Sequence, residues 1–334
     1  MLEFAAVPAP DAQARAAVAT ALHATPRGLS LGRFADPAIW LAGCQAEVPA
    51  QAIRRARVIV FASTNAIAQR TFQGHGLSAF APAATGEQVA EVAGNVGPIH
   101  RLAIAGDASV ELVETNITSA AIDVDNGLSP EQFAAATTLG KDTADREIDA
   151  GADLLIPADL AVANTTVAAA VMGVLSRTEP VAIVGPGSGT TDAMWKTKVT
   201  VIRDAMFRAR HVATDAQELL QVIGNADLAA EAALIAQAAT RRTPVLVSGM
   251  FTAVAAVLAE RLAPGTHAWC YAADITAEPA HVLALQDLDL EPLLNLDMSV
   301  GQGLGALTVL PMIRSSLELV SDEVLSVSTA LNQQ

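Results

Sequence analysis

The sequence predicts an α/β fold, a parallel, Rossmann-like sheet with helices on both faces, plus a small helical subdomain built from the N-terminal and C-terminal segments. Three observations predict it. Short apolar runs bounded by charged or turn residues recur along the chain, as strands buried on both faces do. Helical patterns lie between most of these runs, and such alternation makes the strands neighbours in one parallel sheet. Hydrophobic residues make up 52% of the 334, but Phe, Trp and Tyr only 4%, so Ala, Val and Leu fill the core and helices can stack closely on a sheet.

Taken in order, Asp11 is placed to cap a helix over Ala12–Leu22, which Pro26-Arg27-Gly28 breaks. Val58–Ala62 is a continuous apolar run ending at Ser63-Thr64-Asn65 and reads as the first strand. Further strands are expected at Val110–Val113, Leu154–Ile156, Val181–Val184, Val245–Val247 and Ala268–Tyr271, with helices such as Pro130–Ala150 and Thr166–Leu175 between them. The spacing is irregular, which excludes a short-period repeat. The expected division is a helical arm over 1–50, an α/β domain over 51–310, and a C-terminal helix over 311–334 that completes the small subdomain.

The balance of charge narrows the partners. With 20 Lys+Arg against 35 Asp+Glu, the net charge is −15, which repels nucleic acid and anionic lipid over a Debye length of ~8 Å. A bound phosphate therefore needs a local device, such as a helix N-terminus or a single lysine. Cys44 and Cys270 are too few and too far apart for a disulfide framework or a metal knuckle, and read as core thiols. With no basic leader and no apolar run near the ~20 residues of a membrane span, the expected compartment is the cytoplasm, with no membrane partner. No metal or cofactor is expected.

In open α/β sheets ligands sit beyond the carboxyl ends of the strands, so the segments after each run are the ones to read. Gly151–Thr166 is a strand, a turn and a helix opening on Asn164-Thr165-Thr166. Asn164 or Thr165 can cap that helix, whose free first-turn N–H groups attract an anion. On the residues alone, an ordinary capped helix fits better than an anion site. The loop Gly185-Pro186-Gly187-Ser188-Gly189 would let backbone approach a ligand, although a tight connection fits it equally well. Its glycines do not match the dinucleotide fingerprint. A third glycine group, Gly301, Gly303 and Gly305, opens the last long helix, where close helix packing is an equal reading. No GxSxG, P-loop or metal-spaced histidine pattern is present, which sets aside an unrelated hydrolase or dehydrogenase.

The order of these segments resembles the nicotinate-nucleotide:dimethylbenzimidazole phosphoribosyltransferase family over nearly the whole chain. That family's pattern runs from GDHG through GEMGIGNTT, GxGTGxDD with a downstream lysine, and HxSxEPGH to LGEGTGA. The resemblance implies a phosphoribosyltransferase-like domain that moves ribose phosphate from nicotinate mononucleotide to dimethylbenzimidazole for the lower ligand of cobalamin, with no cofactor. It implies substrate contacts at Asn164, Thr165, Thr166, Gly185, Gly187, Ser188, Gly189, Lys198, Gly301 and Gly303, and an azole pocket lined by Ser78 and Phe80. Small-molecule partners, a nucleotide and an aromatic base, are thus expected, and a homodimer or a heterodimer with a relative.

The chain also departs from that pattern. Gln302 stands where the family keeps the glutamate taken as its base, and an amide cannot accept the azole proton. Asp159 replaces the glutamate of GEMGIGNTT, one methylene shorter, and is the neighbouring carboxylate able to take over. Ala158, Ala161 and Ala163 replace that motif's glycines. Ser63-Thr64-Asn65-Ala66 replaces GDHG, and Glu278-Pro279 and His281 are what survives of HxSxEPGH. Impaired or altered activity is the expectation; the alternative is a catalytically inactive paralogue acting as a ligand-binding module or as the partner of an active relative.

Overall fold

The computed structural model describes residues 2–331, so Met1 of the expected arm and residues 332–334 of the expected C-terminal helix lie outside it. Five parallel strands form the central sheet: β1 (Ala56–Asn65), β2 (Ala108–Ser119), β3 (Leu154–Asp159), β4 (Val245–Val247) and β5 (Cys270–Ala272). Their spatial order is β2-β1-β3-β4-β5. Ala56 pairs with Ala108 on one side and Leu154 on the other, and Phe61 with Val113 and Asp159. The expected α/β fold is present.

Alternation along the strands supplies two cores, because successive side chains point to opposite faces. Ile59, Phe61, Leu155, Val245 and Val247 face a set of helices that includes α4 (Asn164–Ser176), α6 (Ala226–Thr240) and α7 (Gly249–Leu262). Val58, Val60, Ile156 and Leu246 share the opposite core with Val18, Leu41, Leu307 and Ile313. Those last residues belong to α1 (Ala12–His23), α2 (Asp36–Gln45) and α8 (Leu304–Leu331), so helices from both ends of the chain cover one face together.

Local chemistry sets the helix starts. Asp11 caps α1 by accepting from the N–H groups of Gln13 and Ala14, both at 2.8 Å. Helix α3 (Pro130–Asp149) opens on a capping box, with Ser129 and Gln132 each accepting from the other's backbone. Helices α3 and α6 lie so close that a methyl added at Gly140 would sit 2.0 Å from the Ala230 carbonyl oxygen.

Three expectations need correction. Val181–Val184 is no strand: Pro180–Ile183 forms one helical turn before the chain extends at Val184. Pro180 sits at the first helical position, where its missing N–H costs nothing, and Val181 is 56% exposed, so the run is not buried on both faces. The strand expected at 268–271 begins later, because Thr266–Trp269 closes into a 3-10 turn and pairing starts at Cys270. Finally, Leu304–Thr329 is long and apolar enough to cross a membrane by length and composition, with 56% of its most apolar stretch buried inside the fold. It is the helix that supplies Leu307, Val309, Leu310 and Ile313 to the core.

Candidate functional site

The chain passes from β1 to β2 on one side and later returns to β3 on the other, so the carboxyl ends of β1 and β3 form the switch point where α/β sheets open a ligand crevice. A pocket lies there. Asp159, Asn164, Thr165, Thr166, Gly187, Ser188, Lys198, Gly301, Gln302, Ser78 and Phe80 all contribute to its wall, whereas Gly185, Gly189 and Gly303 do not reach its surface. Gly303 packs inward instead, where a Cβ would lie 3.2 Å from the Ala158 methyl.

The turn after β3 is held by an inward-pointing polar network. Helix α4 is capped by Ala163 in the left-handed conformation (φ 73°) with no side-chain cap bond, which corrects the expected capping by Asn164 or Thr165. The Asn164 side chain is 1% exposed and fully engaged. Its Nδ2 donates to Asp159 Oδ2 at 3.0 Å and to Asp227 Oδ2 at 3.1 Å. Its Oδ1 accepts from Asn65 at 2.8 Å and Asn225 at 2.7 Å. Every side-chain bond an asparagine can make is used, so Asn164 supports the pocket floor rather than offering that floor a free amide. Thr166 is fully buried, with no partner for its hydroxyl among the described residues.

Three carboxyls converge on this floor. Asp159 ends β3 and is partly exposed toward the pocket; burial pushes it up to about 6, against the Asn164 hydrogen bond. Asp227, fully buried on the first turn of α6, is pushed by burial to about 7, with Asn164 opposing and the Asp159 charge adding. Glu231, one turn further on, accepts from the Thr252 hydroxyl at 2.6 Å and is pushed well above its ordinary range by burial and by Asp159. Ser63 is the other polar neighbour of Asp227, although its hydroxyl makes no bond of normal geometry.

The pocket wall also carries a cation. Lys198, on α5 (Asp192–Ala209), is 4% exposed and its Nζ donates to Thr165 Oγ1 at 3.0 Å. Burial lowers its pKa, with Glu278 opposing. A lone lysine on a helix is ordinarily a solvated surface charge, and Lys198 is not. Glu278, 6% exposed, accepts from the Gly187 N–H at 2.8 Å and the Gly185 N–H at 3.2 Å. A Cβ at Gly185 would stand 2.4 Å from its Oε2, which accounts for a glycine there. Ser188 Oγ donates to the Ser299 carbonyl at 3.1 Å and joins this loop to the one before α8.

That last loop sets Gln302 beside Asp159. The Gln302 N–H donates to the Asp159 carbonyl at 3.2 Å, its Nε2 reaches Gln88 Oε1 at 3.5 Å, and its Oε1 is buried with no partner among the described residues. The Phe80 ring is 52% exposed and stands at the rim, with Ser78 Oγ accepting from the Phe80 N–H at 3.1 Å. Among the described residues no group of three or more His, Cys, Asp or Glu side chains could hold a metal.

Sequence reading missed Asp227, Glu231, Gln88 and Asp274, and gave Glu278 no role. A signal existed for the first two, since acids at i and i+4 on an otherwise Ala- and Leu-rich helix share one buried face. Asp274, 4% exposed and accepting from the Gly249 N–H at 3.1 Å, lies just past β5, where the strand-end rule could have found it. His281 is held neutral by burial, down to about 4, while its Nδ1 accepts from the Thr276 N–H at 3.1 Å.

The arrangement combines an apolar-sided pocket, one buried cation and a carboxyl poised near neutrality, which suits an anionic substrate that must lose a proton elsewhere. Comparison with known proteins agrees. A family model described as phosphoribosyltransferase matches residues 7–330. Nicotinate-nucleotide--dimethylbenzimidazole phosphoribosyltransferase of Mycobacterium ulcerans (strain Agy99) is 42% identical, covering 96% of this chain and 93% of its own. The enzyme of that name from Corynebacterium glutamicum is also 42% identical, over 88% and 84%. The crystal structure of CobT from Thermus thermophilus superposes with a TM-score of 0.84 at 26% identity, over 92% of this chain and 96% of that one.

Proposed function

The chain belongs to this phosphoribosyltransferase family, and from that we propose that it transfers ribose phosphate from nicotinate mononucleotide to dimethylbenzimidazole or a related azole in cobalamin nucleotide-loop assembly, with Asp159 as the proton acceptor. The observation that carries this is the carboxyl of Asp159, raised to about 6 and set beside Gln302 in the pocket wall. A base with a pKa near the working pH is both ionised and willing to take a proton. Lys198 holds the phosphate end, with Thr165 and the N–H groups at the start of α4. Gln302 acts through its backbone, whose N–H holds the Asp159 carbonyl and fixes that strand end in the pocket wall.

The chemistry balances without further reactants. One azole nitrogen donates its lone pair to the anomeric carbon of the ribose. The bond from that carbon to the nicotinate nitrogen breaks, and its electrons return to the ring, which leaves without needing a proton. The acceptor's second nitrogen then sheds its proton to the Asp159 carboxylate. A silent partner subunit, the alternative, draws on Gln302, and Asp159 supplies the function that Gln302 lacks.

Purified protein incubated with nicotinate mononucleotide and dimethylbenzimidazole is expected to release nicotinate and form the ribosylated base, both resolved chromatographically. No release with dimethylbenzimidazole or with any of a panel of azoles and phenols would defeat the proposal. Three further parts of it rest on lesser support. A helical unit drawn from both ends of the chain is supported by the shared packing of α1, α2 and α8, with its C-terminal part opening at Leu304 rather than at 311, and cytoplasmic residence by the two buried free thiols. A dimer is supported by the resemblance to the family.

A further inference from the structure

Beneath the pocket floor lies a carboxyl that the proposed reaction does not touch. Asp227 is 0% exposed, its Oδ2 takes one hydrogen of the Asn164 amide, and its Oδ1 has no partner among the described residues. The second hydrogen of the same amide goes to Asp159 Oδ2. Two carboxyl oxygens on one nitrogen lie within roughly 6 Å of each other. Asn164 cannot swing away, because its oxygen is pinned by Asn65 and Asn225, and Asn225 is itself pinned by the Leu228 N–H at 3.0 Å.

We infer that Asp227 is a positioning residue for Asp159: clamped by the Asn164 amide, the two carboxyls hold one proton between them, and the member facing the pocket stays ionised. This rests on the proposed transfer reaction for its purpose, but not for its geometry. Two buried like charges at this separation cannot both ionise near neutrality. The proton goes to the member farther from the pocket, since the fully enclosed Asp227 gains least from solvent. Glu231 faces the pair from the same helix and is pushed well above its ordinary range by burial and by the charges of Asp159 and Asp227, with the Thr252 hydrogen bond opposing. No cation is among the groups that shift either member, and the pocket's lysine, Lys198, donates to Thr165.

A neutral Asp227 at this distance raises the proton affinity of Asp159 only when it too begins to ionise, so the pair has two macroscopic steps. The first sets where Asp159 becomes a base. The second resists loss of the shared proton at higher pH. Asp227 needs no contact with substrate to do this.

The test uses the full-length protein labelled with ¹³C at the aspartate carboxyl carbon. In the wild-type protein two aspartate resonances, assigned by their loss in Asp159→Asn and Asp227→Asn, should each titrate in two shared steps between about pH 5 and pH 8. In Asp227→Asn the Asp159 resonance should titrate once, close to the first wild-type step, and the second step should vanish. Asp227→Glu should restore two steps. In the Asp227→Asn variant, the acidic limb of kcat/KM for nicotinate release should stay in place and the inflection at higher pH should vanish, while KM for nicotinate mononucleotide holds within about two-fold. Independent single titrations for the two resonances in the wild-type protein would overturn the inference, and that measurement requires no variant to be active. If nicotinate release is absent while the two-step titration is present, the transfer reaction fails and the shared proton stands.

Discussion

Replacing Asp227 by Asn should make the protein more stable at pH 8 and should leave it little changed at pH 4.5. The carboxyl is fully buried, and its pKa rises from an ordinary 3.8 to about 7 in the fold. A raised acid means that the folded state holds its proton more tightly than the unfolded chain does. Stability is therefore intact below about pH 4 and drains away as pH climbs through the interval from 3.8 to about 7. At 1.36 kcal/mol per unit, ionising this group in place removes about 3 kcal/mol between pH 4.5 and pH 8. Asn keeps the size and the oxygen that faces the Asn164 amide, and it cannot ionise. Urea unfolding at pH 4.5, 6 and 8 at constant ionic strength, followed by far-UV circular dichroism, gives the difference between variant and parent at each pH. That difference should swing by about 3 kcal/mol toward the variant as pH rises, and a part of it comes from Asp159 losing a like-charged neighbour. A pH-independent difference would refute the argument, because an amide lost or gained in packing has no titration.

Two other substitutions test the frame and the cation. Lys198→Met, close in length but uncharged, should raise KM for nicotinate mononucleotide about 10-fold to 100-fold with a smaller change in kcat, since a charge-assisted hydrogen bond contributes about 1.5–3 kcal/mol; an unchanged KM would remove Lys198 from the phosphate site. Gly140→Ala should lower the urea midpoint by the equivalent of about 1–3 kcal/mol, because the new methyl meets the Ala230 carbonyl at 2.0 Å and outweighs the gain in helix propensity. A higher midpoint would mean that α3 and α6 are not packed as described.

Much of the fold was legible because its signals are local. The runs at 58–62, 154–156 and 245–247 are buried on both faces as their continuous hydrophobicity implies, the run at 110–113 forms the strand expected of it, and Asp11 caps the helix that follows it. The run at 181–184 misled because hydrophobicity alone does not separate a buried strand from a helical turn, and Pro180 decides between them. The pocket was legible at its strand ends and at Gly187 and Gly301, where the resemblance to the family added order to separate weak motifs. What was not legible is the orientation of side chains. Asn164 reads as a cap or a substrate contact, yet its position after a left-handed Ala163 turns the amide inward. Asp227 carries no neighbouring motif, and its partner Asn164 lies 63 residues away in sequence, so only folding brings them together.

The proton acceptor is the centre of this account, and steady-state turnover of two variants addresses it directly. With saturating nicotinate mononucleotide and dimethylbenzimidazole at pH 8, Asp159→Asn should lose about 10²-fold to 10⁴-fold in kcat, the usual contribution of a general base. Gln302→Ala should lose no more than about 10-fold, the worth of one neutral hydrogen bond. The reverse ranking, with Asp159→Asn near wild-type turnover and Gln302→Ala nearly inactive, would contradict the assignment.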